Sequence, residues 1–102
     1  WDWISNMADA KFGAVHGIDV SASLNNARDT MMSTGSAAGK LVAAKFSATW
    51  AEFAKTGNPN NAEIPEWAPF DAANRTVMVW DNDIRTVDDY RGDLIRMLAP
   101  VT

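Results

Sequence analysis

The chain contains one histidine, His16, so any reaction that needs a side chain titrating near neutral pH would have to use its imidazole. Gly13 and Ala14 precede it and Gly17 follows it. Small residues of this kind let the backbone turn sharply and let other groups approach the ring. This setting indicates a presented side chain, although a single histidine in a short apolar run is more often a hydrogen-bonded structural residue. Residue types alone leave both roles open.

A histidine acts as a general base only where a nucleophile or an activated water can give it a proton, and an acidic partner must hold its tautomer. The strained turn G-x-S-x-G that exposes a serine nucleophile is absent, because the two glycine pairs with this spacing enclose Val15 and Ala37. Ser36 and Ser47 remain as candidate nucleophiles, but neither has such a turn around it. The chain therefore contains a candidate base without a recognisable nucleophile.

Other chemistries have weaker support in the sequence. One histidine and no cysteine leave no conventional zinc site, and no cofactor is implied. The segment Asp81–Asp83 is similar to the start of a calcium loop, but Arg85 stands where an oxygen ligand is needed and Thr86 where glycine is needed. Three glutamates could form a carboxylate pair for glycoside hydrolysis, and spacing selects no pair among Glu52, Glu63 and Glu66.

Composition restricts the partners that the chain could have. With 102 residues, 47% of them hydrophobic and 22% charged, it is one globular domain or part of one. A net charge of -4 provides no basic surface for nucleic acid or anionic lipid, and no apolar run is long enough to cross a bilayer. The abrupt start at Trp1-Asp2-Trp3 suggests a piece of a larger protein, and Asn74-Arg75-Thr76 is a glycosylation sequon that has meaning only in a secreted eukaryotic protein.

The clearest predicted element is an amphipathic helix over Lys40–Lys55. Its apolar residues recur at helical spacing, and we expect them to face the core: Val42, Phe46, Trp50 and Phe53, with Ala43 and Ala54 beside them. The opposite face would carry Lys45, Thr49 and Glu52. Gly57 is placed to end the helix in a left-handed conformation, and Pro59 follows.

The remaining predicted elements mix helix and strand, so the fold class is α/β or α+β. Before the helix we expect the end of a strand at Trp1–Ile4, followed by a polar loop over Ser5–Lys11. An extended or turn segment then runs through Ile18 and Val20. The last part before the helix is a loop over Ser21–Gly39, with a helical turn around Ala27–Met32. After it we expect an irregular connection over Asn58–Ala73 anchored by Trp67, a strand buried on both faces over Thr76–Asp81, and a helix over Tyr90–Leu98 capped by Asp88 or Asp89.

The missing nucleophile becomes informative when chain order is considered. In α/β-hydrolases the catalytic triad runs serine, then acid, then histidine. A C-terminal piece of such an enzyme would contain the base and lack the other two groups. This chain fits that description, because it has a candidate base, His16, and no recognisable serine nucleophile.

Several segments in chain order resemble a known family. They are Trp1-Asp2-Trp3, GAVHGIDV at Gly13–Val20, WAEFAKTGNPN at Trp50–Asn60, IPEWAPFD at Ile64–Asp71 and RTVMVWD at Arg75–Asp81. The second resembles the segment G-A-x-H-G-x-E-[LIV] that carries the catalytic histidine in type B carboxylesterases, a family that includes cholinesterases and bacterial para-nitrobenzyl esterases. The later ones resemble that family's W-x-x-F-A-[KR]-T-G-[DN]-P-N, L-P-x-W-P-x-[YF]-D and R-x-x-M-x-[FW]-D.

The resemblance implies an ester hydrolase with a Ser-Glu/Asp-His triad on an α/β-hydrolase fold, in which His16 is the catalytic base. Residues 1–102 would then be the C-terminal portion of one catalytic domain, incomplete alone, with the end of a strand, the histidine loop, the amphipathic helix, a buried strand and a C-terminal helix. The partner would be the N-terminal segment that carries the serine and the acid, and the substrate a small ester. Asp19 matches the family's acidic position and is expected to support the histidine by hydrogen bonding or simply to stabilise the loop.

One departure from the family pattern and two other interpretations remain. Many members continue after the acidic position with an aromatic run, whereas this chain has the small and polar residues Ser21–Leu24, so substrate preference does not carry over. The chain could instead belong to a non-catalytic binding or adhesion module with a hydrolase-like fold. It could also be a free-standing small α+β domain. If it is a hydrolase fragment, we expect it to expose apolar patches around Trp50, Trp67 and Val77–Trp80 when alone.

Overall fold

The computed structural model describes residues 1–4, 9–27 and 35–99. Within these ranges the elements are helix α1 (Ile18–Ser23), helix α2 (Ala37–Thr56), strand β1 (Val77–Val79), strand β2 (Arg85–Val87) and helix α3 (Gly92–Leu98). The two strands form an antiparallel hairpin in which Met78 lies opposite Thr86. No helix in the described ranges is long and apolar enough to span a membrane.

Helix α2 confirms the predicted amphipathic helix and its end. It begins at Ala37, before the predicted Lys40, because the Ser36 side chain caps it by accepting a hydrogen bond from the Gly39 N–H at 3.0 Å. It ends at Gly57, whose φ of 76° is left-handed and whose N–H donates to the Phe53 carbonyl at 2.8 Å.

The faces of α2 differ from the prediction. Thr49, predicted to face solvent, is only 4% exposed; its hydroxyl donates to the Lys45 carbonyl at 2.8 Å and accepts from the Asn61 carboxamide at 3.0 Å. Trp50 and Phe53, predicted to face the core, are 53% and 49% exposed. The connection after the helix folds back onto the Thr49 side through Asn61, so the contact that buries this face comes from outside the helix.

The hydrophobic core joins the start of the chain, α1, α2 and the hairpin. Its buried members are Trp3, Ile18, Val42, Met78 and Trp80. The Phe46 ring bridges two parts of this core by edge-to-face contacts, with its centroid 4.7 Å from that of Trp80 and 5.1 Å from that of Trp1. The predicted burial of the segment around β1 is confirmed, since Met78, Val79 and Trp80 are all buried.

The strand predicted at Trp1–Ile4 is wrong. The N–H groups of Asp2 and Trp3 both donate to the Trp80 carbonyl, at 2.9 and 3.1 Å. Because one carbonyl receives both bonds, no alternating ladder forms, and this segment has no strand conformation.

The extended segment predicted through Ile18 and Val20 is also wrong, because α1 occupies it. Ile18 and Ala22 are buried and lie four residues apart, which places them on one face of a helix. The irregular connection over Asn58–Ala73 is confirmed, with turns and no helix or strand. The predicted loop at residues 5–8 and the predicted helical turn at residues 28–32 lie outside the described residues.

Neither aspartate that was expected to cap the last helix does so. Helix α3 begins at Gly92 after Arg91, which is left-handed (φ 54°) and provides no side-chain cap. The Asp88 carboxylate accepts from the Thr76 hydroxyl, and the Asp89 carboxylate lies 3.1 Å from Arg75 Nε and 2.8 Å from an Arg96 nitrogen. The arginines lower the pKa of Asp89, with the Arg96 hydrogen bond as the main cause. These pairings span residues distant in sequence, which local capping rules do not consider.

Candidate active site

His16 lies at the tip of a tight turn. The Ile18 N–H donates to the Val15 carbonyl at 3.3 Å, which closes a four-residue turn with His16 and Gly17 at its centre. Gly17 has φ 85° and ψ -1°, while His16 is not among the residues with positive φ. A left-handed third residue after a residue without positive φ fits a type II turn, in which the third residue must be left-handed. The imidazole is therefore carried at the second position of the turn, and the residue is exposed.

Both ends of this turn are held by the core. Val15 packs against the core cluster, and Ile18 is 1% exposed. Helix α1 continues directly from the turn, and the Val20 N–H donates to the Gly17 carbonyl at 3.2 Å. The exposed histidine thus stands on a short, anchored segment.

Asp19 lies in the first turn of α1, where a carboxylate is favoured by the helix dipole, and it is half-buried. Within residues 1–4, 9–27 and 35–99, no ion pair or hydrogen bond joins it to His16. The expected supporting role of Asp19 stays a prediction.

The other candidate nucleophiles and carboxylates lie on α2, at its cap or in the connection that follows it. Ser36 is occupied as the cap of α2, and Ser47 is half-buried on that helix. Among the possible carboxylates, Glu52 is half-buried on α2, while Glu63 and Glu66 are exposed in the following connection. The described ranges contain no group of three His, Asp or Glu side chains that could hold a metal ion.

A large apolar groove lies away from the histidine. Its volume is about 650 Å³, and α2, the connection after it and β1 form its walls. Neither His16 nor Asp19 lines it. We call this feature the aromatic groove; its main lining side chains are Phe46, Trp50, Phe53, Trp67, Phe70 and Val77.

The aromatic groove confirms only part of the expected apolar exposure. Trp50 and Phe70 are 53% and 63% exposed, whereas Trp67 is half-buried. The expectation was wrong for Met78, Val79 and Trp80, which the chain buries within its own core.

Two positioning features were not predicted from the sequence. The Asn60 carboxamide holds the backbone of Trp67, because its oxygen accepts from the Trp67 N–H at 2.6 Å and its nitrogen donates to the Trp67 carbonyl at 2.9 Å. The second feature is the type of turn at His16. The sequence did contain a signal for it, because a glycine directly after the presented residue is typical of a turn that needs positive φ.

Two solved structures are similar to this fold, both of Geobacillus stearothermophilus carboxylesterase EST55. The structure at pH 6.2 aligns with a TM-score of 0.72 at 22% identity, covering 86% of this chain and 19% of that one. The structure at pH 6.8 aligns with a TM-score of 0.66 at 20% identity, covering 76% and 18%. At such identities the likeness is one of fold, and this chain spans less than a fifth of the length of those α/β-hydrolase carboxylesterases.

Sequence comparison gives the family. No curated protein matches the chain. The model of the carboxylesterase family matches residues 2–94, which is most of the 102. Together with the shared fold, this match shows that the chain belongs to the carboxylesterase family.

Proposed function

We propose that this chain supplies the catalytic histidine, His16, of a serine carboxylesterase and is the C-terminal portion of its α/β-hydrolase domain. One observation supports this most strongly: the only histidine is exposed at the tip of a turn anchored in the core at both ends, in a chain of the carboxylesterase family. The serine and the acid of the triad would lie in preceding sequence or on a partner chain.

The proposed reaction uses His16 as a proton carrier. Its Nε2 takes the proton from the serine hydroxyl as the serine oxygen attacks the ester carbonyl carbon. The imidazolium then gives that proton to the oxygen of the departing alcohol as the carbon–oxygen bond breaks, which leaves an acyl-serine. Water attacks this acyl group and loses a proton to His16, and the same proton returns to the serine as the acid product leaves.

The surroundings of His16 fit this role. In the described part of the chain no hydrogen bond engages its ring, so both ring nitrogens can meet the serine and the acid. Asp19 is the proposed supporting residue, since it lies on the first turn of α1 directly after the histidine turn. It is not proposed as the triad acid, because that residue precedes the histidine loop in this class of enzyme.

The aromatic groove supports a larger assembly. A cavity of about 650 Å³ bordered by half-exposed Trp50, Phe53 and Phe70 is costly to leave in water. We propose that the segment carrying the serine covers it, which would join this chain to the rest of the hydrolase domain. The structural neighbours, of which this chain covers 18% and 19%, provide the precedent for such a domain.

The test is ester hydrolysis by the assembled hydrolase, formed by this chain and the segment with the serine and the acid, on a short-chain chromogenic ester. The substitution His16→Ala is expected to lower kcat by about 10⁶-fold, because removing one member of such a triad removes nearly all its contribution. Val20→Ala is the matched control, since Val20 is exposed four residues away and should leave kcat unchanged. This chain alone is expected to be inactive.

Two results would contradict the proposal. Full activity of His16→Ala would remove the histidine from the mechanism. An assembled protein that is inert with His16 intact would favour the non-catalytic binding module.

A further inference from the structure

We infer that Gly17 is a positioning residue that aims the His16 imidazole at the triad, an inference that rests on the proposed function. Within the described part of this chain, the residue after the histidine, and not a hydrogen bond to the ring, would set the direction of the side chain. Three observations on the turn carry this inference.

The first observation is the backbone of Gly17. Its φ of 85° and ψ of -1° lie where only glycine is unstrained, because a Cβ would crowd the neighbouring carbonyl. A type II turn requires this conformation at its third position, the position that Gly17 occupies between His16 and Ile18. An alanine there favours a turn with negative φ, and such a turn forms when the peptide unit between residues 16 and 17 rotates.

The second observation is that the ends of the turn cannot absorb this rotation. Ile18 is 1% exposed inside the core, and Val15 packs against the same core. Their hydrogen bond, Ile18 N–H to Val15 carbonyl, is 3.3 Å long and spans the turn. The change is therefore concentrated on ψ of His16 and φ of residue 17. Because the allowed side-chain rotamers depend on the backbone angles, the new ψ changes the rotamers open to the imidazole.

The third observation is that nothing else in the described ranges holds the ring. The residue is exposed, and no hydrogen bond or ion pair there engages its imidazole. Within this chain the direction of the ring therefore depends on the turn, and only the triad acid, supplied from outside the described ranges, would add a second restraint. A displacement of about 1 Å can cost about 10²-fold in rate, because proton transfer needs close alignment.

The experiment compares substitutions at two left-handed glycines in the assembled hydrolase. Gly17→Ala is expected to lower kcat by about 10²-fold with little change in KM, since only the transferred proton is affected. Gly17→Asn should recover most of kcat, because asparagine tolerates positive φ better than alanine. Gly13→Ala is the matched control: Gly13 has φ 62°, open space where an alanine Cβ would lie, and a place before the turn Val15–Ile18 that carries the imidazole.

This control distinguishes a loss of kcat caused by backbone strain from a loss caused by a changed direction of the imidazole. Gly13→Ala should lower Tm about as much as Gly17→Ala and leave kcat unchanged, because both place alanine in a left-handed conformation and only Gly17 lies in the turn that carries the imidazole. If the two alanine variants lose the same fraction of kcat, or if Gly17→Asn recovers nothing beyond Gly17→Ala, the positioning role is overturned.

The role of His16 is tested in the same series. If His16→Ala abolishes turnover while Gly17→Ala keeps full kcat, the positioning inference fails and the proposed function stands. If His16→Ala keeps full turnover, the proposed function fails and the positioning inference fails with it.

Discussion

The two ends of α2 carry apolar residues in one continuous helical pattern, yet they lie in different surroundings. Near its start, Val42 and Ala43 are 4% and 0% exposed and pack into the core beneath the histidine turn. Near its end, Trp50 and Phe53 are 53% and 49% exposed and border the aromatic groove. The difference arises because α1 and the hairpin supply partners for the first end, while no element in the described ranges covers the second.

This contrast distinguishes a region that the chain buries by itself from a surface that is open to a partner. The core beneath His16 is closed, so the turn that carries the histidine has support from within this chain. No segment among residues 1–4, 9–27 and 35–99 covers the aromatic groove. Under the proposed function, the histidine is held in place by this chain, and the groove is what attaches the chain to the serine.

The largest effect on stability is expected in the closed core. Ile18→Ala should lower the free energy of unfolding of the assembled hydrolase by about 2–5 kcal/mol, because it leaves a cavity at a residue that is 1% exposed. Urea unfolding followed by tryptophan fluorescence measures this. Leu24→Ala, at a residue just after α1 that is 76% exposed, is the control and should change little. Equal losses for the two variants would show that the core is not closed around Ile18.

An intermediate effect is expected at the open groove. Trp50→Ala should weaken binding of this chain to the segment that carries the serine by about 2 kcal/mol, or about 30-fold in Kd, because a half-exposed tryptophan in an interface is a strong contact when covered. Titration calorimetry on the two components measures it. Lys55→Ala, exposed on the same helix, should leave Kd unchanged. An unchanged Kd for Trp50→Ala would remove the groove from the interface.

The smallest effect is expected at the turn that follows the Phe70 wall of the groove. The Asn74 N–H donates to the Asp71 carboxylate at 2.7 Å and, with a weaker contribution from the Ala73 N–H at 2.8 Å, lowers the pKa of Asp71 below 3.8. A carboxyl whose pKa is lower in the folded state stabilises that state above its unfolded pKa, and the stabilisation is lost as pH falls through the folded pKa. Asp71→Ala should therefore lower Tm slightly at pH 7.

The pH dependence provides the check. The difference in Tm between the wild-type protein and Asp71→Ala should shrink as pH falls below 3.8, because the protonated carboxyl accepts these hydrogen bonds less strongly. Asp93→Ala, on α3 and exposed, serves as the comparison. A difference that is the same at pH 7 and at pH 3 would show that the charge of Asp71 does not stabilise the turn.

Local signals predicted the features that depend on neighbours in sequence. The end of α2 at Gly57 was predictable because a left-handed glycine ends a helix whatever surrounds it. The apolar segment around β1 was predictable as buried because its run of Val77–Trp80 has no polar residue. The presented position of His16 was likewise indicated by the small residues around it.

Tertiary contacts decided the remaining features. Thr49 is buried because Asn61, twelve residues further along the chain, returns to its hydroxyl, whereas Trp50 is exposed because no element in the described ranges covers it. Asp89 binds Arg75 and Arg96 instead of capping α3. Helix α1 forms where an extended segment was predicted because the core accepts Ile18 and Ala22 on one helical face.

The sequence by itself determined which residues can do chemistry, namely one imidazole and no recognisable nucleophile. It also determined one amphipathic helix and its C-terminal end at Gly57. Only the tertiary structure decided that the turn carrying the imidazole is anchored in the core, while Trp50 and Phe53 on α2 are left uncovered by the described residues. The physical reason is that caps and turns are satisfied within a few residues, whereas burial is a property of surfaces that meet from distant parts of the chain.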